Sequence, residues 1–184
     1  MSKVTKKALA ISLKKILSQK TLDKVTIKEI VDDCGITRQA FYYHFQDLYD
    51  LLEWTFMSEI TENVEGNVTF GTWKQCFFKL CEYFITNKNF INNVYNSIDY
   101  RGFEGHIYKL AYELLFKVVE EQTKGLDVST EDKKNIINLY KYIFVGFIIE
   151  WINNGMKESS DDMVNKLNML ISGVMKNILE KYDD

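Results

Sequence analysis

Apolar residues recur at intervals of three and four along nearly the whole chain, which is the spacing of one face of an α-helix. Strand-like alternation is scarce, and the sequence contains no proline. Clusters of Gly, Asn, Ser and Asp separate the helical segments, as is typical of turns. The pattern predicts an all-α protein with about nine helices.

The sharpest local pattern lies at about residues 26–45 and predicts two short helices joined by a tight turn. Thr26 and Glu29 have the spacing of a capping box, which satisfies free N–H groups at a helix start. Gly35 suits the left-handed backbone just past a helix end, and Thr37 is a good N-cap for the second helix. With the lysine-rich amphipathic helix before it, this segment predicts an N-terminal three-helix bundle with a helix-turn-helix.

The second of these helices has two different faces. Ala40, Phe41 and Phe45 can pack inward, which leaves a row of polar and aromatic residues facing outward. Between residues 37 and 44 the helix is about 12 Å long at ~1.5 Å per residue, comparable to the ~12 Å width of the DNA major groove. These dimensions suit insertion into DNA.

The outward row also has the chemistry for reading DNA. Arg38 can form a bidentate pair with guanine, and Gln39 can do the same with adenine. Thr37 and the free N–H groups of the first helical turn can hold a phosphate, and the hydroxyls of Tyr42 and Tyr43 can reach phosphates at the groove edge. The row therefore predicts a recognition helix for double-stranded DNA.

At these residues, ITRQAFYYHFQDLYDLL, the chain resembles the TetR family of transcriptional regulators. That family has a small hydroxyl residue opening the recognition helix, an aromatic pair, a His or Tyr, a Phe, then a polar N-cap and an acidic residue in the fourth helix. The residues at these positions here are Thr37, Tyr42, Tyr43, His44, Phe45, Asp47 and Asp50.

The resemblance implies a contact between Lys6 and the DNA backbone, and a phosphate contact for His44 is more plausible than a catalytic role. Many family members have a lysine one residue after the N-cap of the fourth helix, and this lysine reaches a DNA phosphate. This chain has Leu48 at that position, so we do not expect the phosphate contact here. Lys3, Lys6, Lys7 or Lys28 could compensate. The expected DNA-contacting residues are Lys6, Thr26, Lys28, Thr37, Arg38, Gln39, Tyr42, Tyr43 and His44.

The clearest break in composition is EGNVTFGT at residues 65–72. It predicts a DNA-binding domain at 1–64 and a C-terminal effector-binding and dimerisation domain at 65–184. Within the latter, WINNGMKESSDDMVNKL (151–167) is similar to a TetR subgroup that includes regulators linked to dihydroxyacetone kinase operons. This similarity implies no particular effector.

The C-terminal domain is rich in aromatic residues, and core packing is the default for any one of them. Together they permit a concave apolar pocket with a few polar groups, the usual form of a small-molecule site. In TetR relatives an effector binds in this domain and changes the spacing of the two DNA-binding domains. The candidate pocket residues, each with an apolar body and a hydrogen-bonding tip, are Tyr95, His106, Tyr112 and Tyr140.

Two C-terminal helices are predicted to form a dimer interface. The stretch YKYIFVGFIIEWI is apolar almost all round, so its helix must bury two faces. With the last helix of each of two subunits it can form a four-helix interface, the arrangement that the family resemblance also implies. The expected interface residues are Phe147, Trp151, Leu167, Ile171, Val174 and Ile178.

The net charge of −3 conceals an asymmetry. Residues 1–50 contain nine Lys or Arg and six Asp or Glu, a net charge of +3, so the remainder carries −6. This division matches a DNA-binding domain on an acidic body.

Other kinds of site have little support in the sequence. The three cysteines form no C-x-x-C pair, and two histidines are too few for a typical zinc site, so we predict small buried cysteines in a reducing cytoplasm. Catalytic motifs are missing, and no metal or cofactor is predicted. The N-terminus does not read as a secretory signal, and the longest apolar run, Ile143–Ile149, is far short of the ~20 residues that span a bilayer. We expect a soluble protein.

These patterns favour a homodimeric, ligand-responsive regulator that binds a near-palindromic operator, and the resemblance favours a repressor. Two alternatives come from other classes. One is a helical small-molecule-binding protein or enzyme with an accessory DNA-binding module. The other is a structural protein that binds DNA with little sequence preference.

Overall fold

The structure is a computed structural model that describes residues 2–63, 68–97, 100–171, 173–179 and 181. All the regular elements in these residues are helical, so the predicted all-α fold is confirmed. They comprise one 3-10 turn, Leu22–Lys24, and ten α-helices. The α-helices are α1 (Ser2–Leu17), α2 (Ile27–Cys34), α3 (Arg38–His44), α4 (Leu48–Asn63), α5 (Trp73–Thr86), α6 (Lys88–Tyr95), α7 (Tyr100–Gln122), α8 (Thr130–Asn153), α9 (Ser160–Ile171) and α10 (Val174–Leu179).

The chain forms two compact units, and the N-terminal unit combines residues 1–62 with 86–106. In it α1 packs against α2, α3 and α6. Leu9, Leu13 and Leu17 recur every fourth residue on α1, and all three are completely buried. Burying each such side chain contributes about 1.5–3 kcal/mol, so this stripe is a major source of stability for the three-helix bundle.

Helix α6 belongs to this unit because its apolar face is buried there. Phe56 of α4 stacks on Phe90 of α6 with ring centroids 5.1 Å apart, and the Asn93 side chain donates a 2.8 Å hydrogen bond to the Leu17 carbonyl at the end of α1. The two units therefore do not follow a single cut in the chain. The domain boundary at 64/65 stays a prediction.

The C-terminal unit combines residues 63–85 with 107–184. Its core contains the buried cluster Val119, Val128, Ile136, Ile137 and Tyr140 from α7, α8 and the loop between them. Several half-buried residues pack against this cluster: Tyr112, Leu115, Leu126, Phe144, Ile171, Val174 and Ile178.

Local capping chemistry sets several helix ends as predicted. The Thr26 hydroxyl accepts a 3.3 Å hydrogen bond from the Glu29 backbone N–H, while the Thr26 N–H donates to the Glu29 carboxylate at 2.9 Å. Gly35 ends α2 with a φ of +66°. The Asp47 carboxylate caps α4 by accepting from the Asp50 N–H at 2.9 Å.

Glycines occur both inside a helix and between two helices. Helix α7 begins at Tyr100 and continues through Gly102 and Gly105. A glycine inside a helix costs only about 1 kcal/mol, which a long packed helix can tolerate. Gly173 has a φ of +82° and divides the predicted last helix into α9 and α10.

Among the described helices, α8 alone has the length and composition to cross a membrane. The same criteria are met by core helices of soluble proteins, and α8 buries Tyr140, Val145, Ile148 and Trp151 inside the C-terminal unit. Packing within the chain therefore accounts for part of its apolar character.

We predict that Gly35→Ala lowers the free energy of unfolding by about 1–2 kcal/mol, because an L-residue is strained at this left-handed backbone. An added Cβ there meets no described atom within 4 Å, so steric overlap does not contribute. Gly105→Ala is the matched control, since it lies inside α7 with equally open space. It should stabilise the protein by about 0.5–1 kcal/mol. Urea unfolding measures the free energy of unfolding of both variants. An equal loss of this free energy in Gly35→Ala and Gly105→Ala would contradict a special requirement for glycine at the left-handed position.

The capping box should also contribute a pH-dependent stability. A 2.5 Å hydrogen bond from Lys20 and the contacts with Thr26 lower the pKa of Glu29 from 4.5 to about 2. The stabilisation is therefore fully present above pH 4.5 and is lost as the pH falls toward 2. Glu29→Gln should lower the free energy of unfolding at neutral pH. The difference in this free energy between the variant and the wild type should become smaller as the pH falls through this range. Urea unfolding at several pH values measures this difference, with Asp23→Asn as the control. A difference in unfolding free energy that stays constant with pH would contradict the role of the Glu29 carboxylate.

Candidate nucleic-acid interface

Helix α3 is held in the N-terminal unit by two phenylalanines on its inner face. Phe41 is completely buried, and Phe45, its C-cap, is 2% exposed. The Phe45 ring makes an edge contact with Trp54 of α4 at a centroid distance of 5.9 Å. Because both anchors are large and packed, the orientation of this seven-residue helix is fixed by its buried side.

The opposite face presents the predicted row to solvent. Arg38 and Gln39 are exposed, and Tyr42 and Tyr43 are 58% and 82% exposed. The Tyr42 ring contacts the edge of Phe41, and the Tyr43 ring contacts that of half-buried His44, with centroids 5.5 and 4.9 Å apart. Both tyrosines remain largely exposed, so their hydroxyls are available to a ligand.

The two predicted threonines both have structural roles. The Thr37 hydroxyl accepts a 3.1 Å hydrogen bond from the Ala40 N–H and so caps α3. The Thr26 hydroxyl, in addition to accepting from Glu29, donates to its carboxylate at 2.9 Å. Thr37 can still donate its hydroxyl hydrogen to a phosphate, whereas that of Thr26 is already engaged.

Lys6 is positioned by aromatic rings. Its ammonium lies 5.1 Å from the ring centroid of Phe45 and 5.7 Å from that of Trp54. Such cation–π contacts contribute about 0.5–1 kcal/mol at exposed sites. They keep the charge beside the C-terminal end of α3 while the side chain remains partly exposed.

Ion pairs divide the lysines of this unit into two groups. Lys7, Lys14, Lys15 and Lys20 lie within 2.5–2.8 Å of Glu62, Glu59, Asp33 and Glu29, respectively. Within the described part of the chain, the exposed Lys24, Lys28 and Arg38 make no such pair. Together with the exposed Lys3 at the start of α1, these residues carry the available positive charge predicted from the sequence. Lys24 was not among the predicted contacts, because the sequence does not tell which lysines are paired.

A cavity of about 100 Å³ lies in the C-terminal unit between α5, α7 and α8. Of the candidate pocket residues, Tyr140 lines it. Tyr95 belongs to the N-terminal unit, and Tyr112 packs on the core cluster instead of lining the cavity. The His106 side chain lies outside the described residues. The residues lining the cavity are Val68, Phe70, Trp73, Cys76, Phe77, Leu80, Ile107, Leu110, Ala111, Leu114, Leu115, Val118, Tyr140, Phe144, Val145, Ile148 and Ile171.

The predicted dimer residues mostly serve the core of their own chain. Trp151 is 2% exposed and Leu167 is completely buried, so neither offers a surface to a partner. Phe147 is half-buried, and the other three, Ile171, Val174 and Ile178, pack against the core cluster. The large apolar residues that α8 and α9 expose are Leu139, Tyr142, Met169 and Leu170.

The three cysteines differ in burial. Cys81 is buried, which raises the pKa of its thiol to about 12, while Cys34 and Cys76 are half-buried. No group of three or more potential ligands occurs among the described His, Cys, Asp and Glu residues.

Two family profiles match the chain. Residues 13–53 match that of bacterial regulatory proteins of the tetR family. Residues 71–173, more than half of the chain, match the transcriptional regulator C-terminal region.

Individual relatives agree with these profiles. The HTH-type dhaKLM operon transcriptional activator DhaS of Lactococcus lactis subsp. lactis (strain IL1403) is 29% identical over 139 residues, 74% of this chain and 73% of the relative. This match confirms the predicted resemblance to regulators linked to dihydroxyacetone kinase operons.

Two solved structures share the fold. The dihydroxyacetone kinase operon activator DhaS aligns with a TM-score of 0.71 and 21% identity over 98% of this chain and 99% of its own. NalD, the secondary repressor of the MexAB-OprM multidrug efflux pump in Pseudomonas aeruginosa, aligns with a TM-score of 0.56 and 14% identity over 97% and 98%.

The relatives are DNA-binding regulators and not enzymes, which agrees with an exposed helix fit for the major groove. The chain belongs to the TetR family of transcriptional regulators.

Proposed function

We propose that the protein is a homodimeric, ligand-responsive regulator that reads a near-palindromic operator through α3 of each subunit. The observation that carries this proposal is the exposed row Arg38, Gln39, Tyr42 and Tyr43 on a helix anchored by buried phenylalanines. A rigid short helix with donors at its start and hydroxyls along its length suits the major groove.

Base contacts are assigned to Arg38 and Gln39, because their side chains can form bidentate pairs with guanine and adenine. Phosphate contacts are assigned to Lys6, Lys28, Thr37 and the two tyrosines, and Lys24 joins them because it is exposed and unpaired within the described residues. Lys7 is a weaker candidate, since Glu62 lies 2.8 Å from its ammonium.

A dimer would present two recognition helices to successive major grooves, about 34 Å apart. The exposed apolar residues of α8 and α9 support a subunit interface there, namely Leu139, Tyr142, Met169 and Leu170. Scattered exposed apolar residues are ordinary, but four on two consecutive helices favour a partner surface.

A ligand in the cavity of the C-terminal unit would control DNA binding by linkage. If it binds more tightly to the form that cannot engage both half-sites, it must weaken DNA binding by the same factor. Repression stays a prediction, because the named relatives include an activator and a repressor. The proposal includes a cytoplasmic location, where operator DNA is accessible and free thiols are stable.

We predict that Arg38→Ala and Gln39→Ala relax sequence preference, each at a cost of about 1–3 kcal/mol per base contact. The operator is first obtained by selecting bound fragments from the host genome. Binding to this operator and to random duplex is then compared at a fixed salt concentration. If both variants prefer the operator over random duplex as strongly as the wild type does, direct readout by Arg38 and Gln39 is contradicted. If the wild type itself shows no such preference, a structural DNA-binding protein is favoured.

Lys28→Gln provides the matched phosphate control for this experiment. It should weaken all duplexes alike and reduce the slope of log affinity against log salt by about 1. Lys15→Gln removes the same charge from a lysine that is paired with Asp33 at 2.5 Å, so it should leave the slope closer to that of the wild type. A loss confined to one sequence would contradict the phosphate role of Lys28.

We predict that Met169→Glu and Leu170→Glu each weaken dimerisation by about 1–3 kcal/mol, because a charge would be buried at a mostly apolar interface. Sedimentation velocity measures the loss of dimer, and circular dichroism verifies folding. Ile11→Glu is the matched control, since Ile11 is 67% exposed on α1 of the other unit. Intact dimers in both Met169→Glu and Leu170→Glu would contradict this interface. Leu167→Glu should instead unfold the C-terminal unit, because Leu167 is completely buried.

A further inference from the structure

We propose that Trp54 is a positioning residue for DNA binding, which together with Phe45 holds the Lys6 ammonium beside the end of α3 for contact with a DNA phosphate. This inference rests on the proposed function, in which Lys6 contacts a phosphate. Trp54 does not touch the DNA itself in this scheme but acts through Lys6.

The segment that joins α3 to α4 carries no permanent positive charge. Residues 44–50, HFQDLYD, contain two aspartates and neither lysine nor arginine. The carboxylates already serve as caps, since Asp47 accepts from the Asp50 N–H and Asp50 accepts from the Gln46 N–H, each at 2.9 Å. A phosphate near this corner therefore needs a cation from another element. Lys6 of α1 is such a cation.

Two aromatic rings hold the Lys6 ammonium at this corner. The ammonium lies 5.1 Å from the ring centroid of Phe45 and 5.7 Å from that of Trp54. The two rings contact each other edge-on at a centroid distance of 5.9 Å, so they form one notch between the end of α3 and α4. Phe45 is 2% exposed, whereas Trp54 is only half-buried. A change at Trp54 therefore releases Lys6 with less damage to the core than a change at Phe45.

An aromatic notch positions a cation without neutralising it. The face of a ring attracts an ammonium through its quadrupole and carries no net charge. Lys14 provides the contrast, because its ammonium lies 5.5 Å from the Phe90 ring centroid but also 2.5 Å from a Glu59 oxygen. Lys6 makes no such ion pair within the described part of the chain, so its charge remains available to a phosphate.

Fixing the ammonium in advance lowers the cost of binding DNA. A mobile lysine side chain loses rotamer freedom when a contact holds it in place, and a side chain that is already held avoids part of this loss. Trp54 should therefore raise the affinity for every duplex alike, because phosphates carry no base sequence. It should leave the preference for operator over random duplex unchanged.

A double-mutant cycle tests whether Trp54 acts through Lys6. Binding of the full chain to a random duplex is measured over a range of salt concentrations for the wild type, Lys6→Gln, Trp54→Leu and the double variant. Lys6→Gln should weaken binding about threefold to tenfold and reduce the slope of log affinity against log salt by about 1. Trp54→Leu should weaken binding about twofold to fivefold when Lys6 is present, and it should have no further effect in Lys6→Gln.

Trp54→Phe and Lys14→Gln are the matched controls. Trp54→Phe keeps a ring face beside Lys6 and should bind within about twofold of the wild type. Lys14→Gln removes the same charge from a lysine that already has a carboxylate partner, so the salt slope should stay closer to that of the wild type. Thermal unfolding shows that each variant is folded. An equal loss from Trp54→Leu with and without Lys6 would indicate a merely structural role and overturn the proposal, as would a loss confined to the operator.

The position of Lys6 can also be observed without DNA. The ε-methylene protons of Lys6 adjoin the ammonium in the notch, so ring currents should shift their NMR signals upfield, and Trp54→Leu should reduce this shift. Signals at the usual position of an exposed lysine would overturn the notch. Because the wild-type spectrum alone decides this point, the test does not depend on the folding of Trp54→Leu.

These measurements separate the inference from the proposed function. Coupled effects of Trp54 and Lys6 in a protein that binds operator and random duplex alike would support the positioning role and overturn sequence-specific reading. A clear operator preference with independent effects of the two residues would overturn the positioning role and leave the proposed function standing. Absence of DNA binding by the wild type would overturn both.

Discussion

The burial of Phe41 and Phe45 beneath α3 is the constraint on which the nucleic-acid interface depends. A seven-residue helix is too short to be stable alone in water, so its geometry must come from packing. Phe41 supplies this packing from the middle of the helix, and Phe45 does so from its C-cap. Since the inner face is fixed, the outer residues project in a fixed direction, and a surface that reads DNA needs this property.

The positive charge that the N-terminal unit presents to solvent depends more on which lysines form ion pairs than on the number of charged residues. Four lysines have carboxylate partners, and the exposed pairs among them contribute only about 0–1 kcal/mol each to stability. Their larger effect is to neutralise the sides of the unit. The positive charges of Lys28 and Arg38 are left exposed around the helix-turn-helix, where a phosphate backbone can be attracted.

The C-terminal unit uses the same apolar helices for its core and for the walls of its cavity. Tyr140 belongs to the buried cluster and also lines the cavity, and Ile171 joins the cavity wall to α9. In the proposed regulator, this sharing of helices would couple ligand binding in the cavity to DNA binding by the dimer. A ligand cannot contact these walls without also contacting helices that carry exposed apolar residues.

The sequence by itself determined the features that depend on neighbouring residues. The Thr26 capping box, the left-handed Gly35 and the outward row on α3 all follow from local chemistry and helical spacing, and so does the family of the helix-turn-helix. Only the tertiary structure decided which apolar faces meet. It placed α6 in the N-terminal unit, Trp151 and Leu167 inside the core, and Tyr112 away from the cavity wall. Periodicity shows that a face must be buried, but it does not show which partner buries it, because that depends on contacts between residues far apart in the chain.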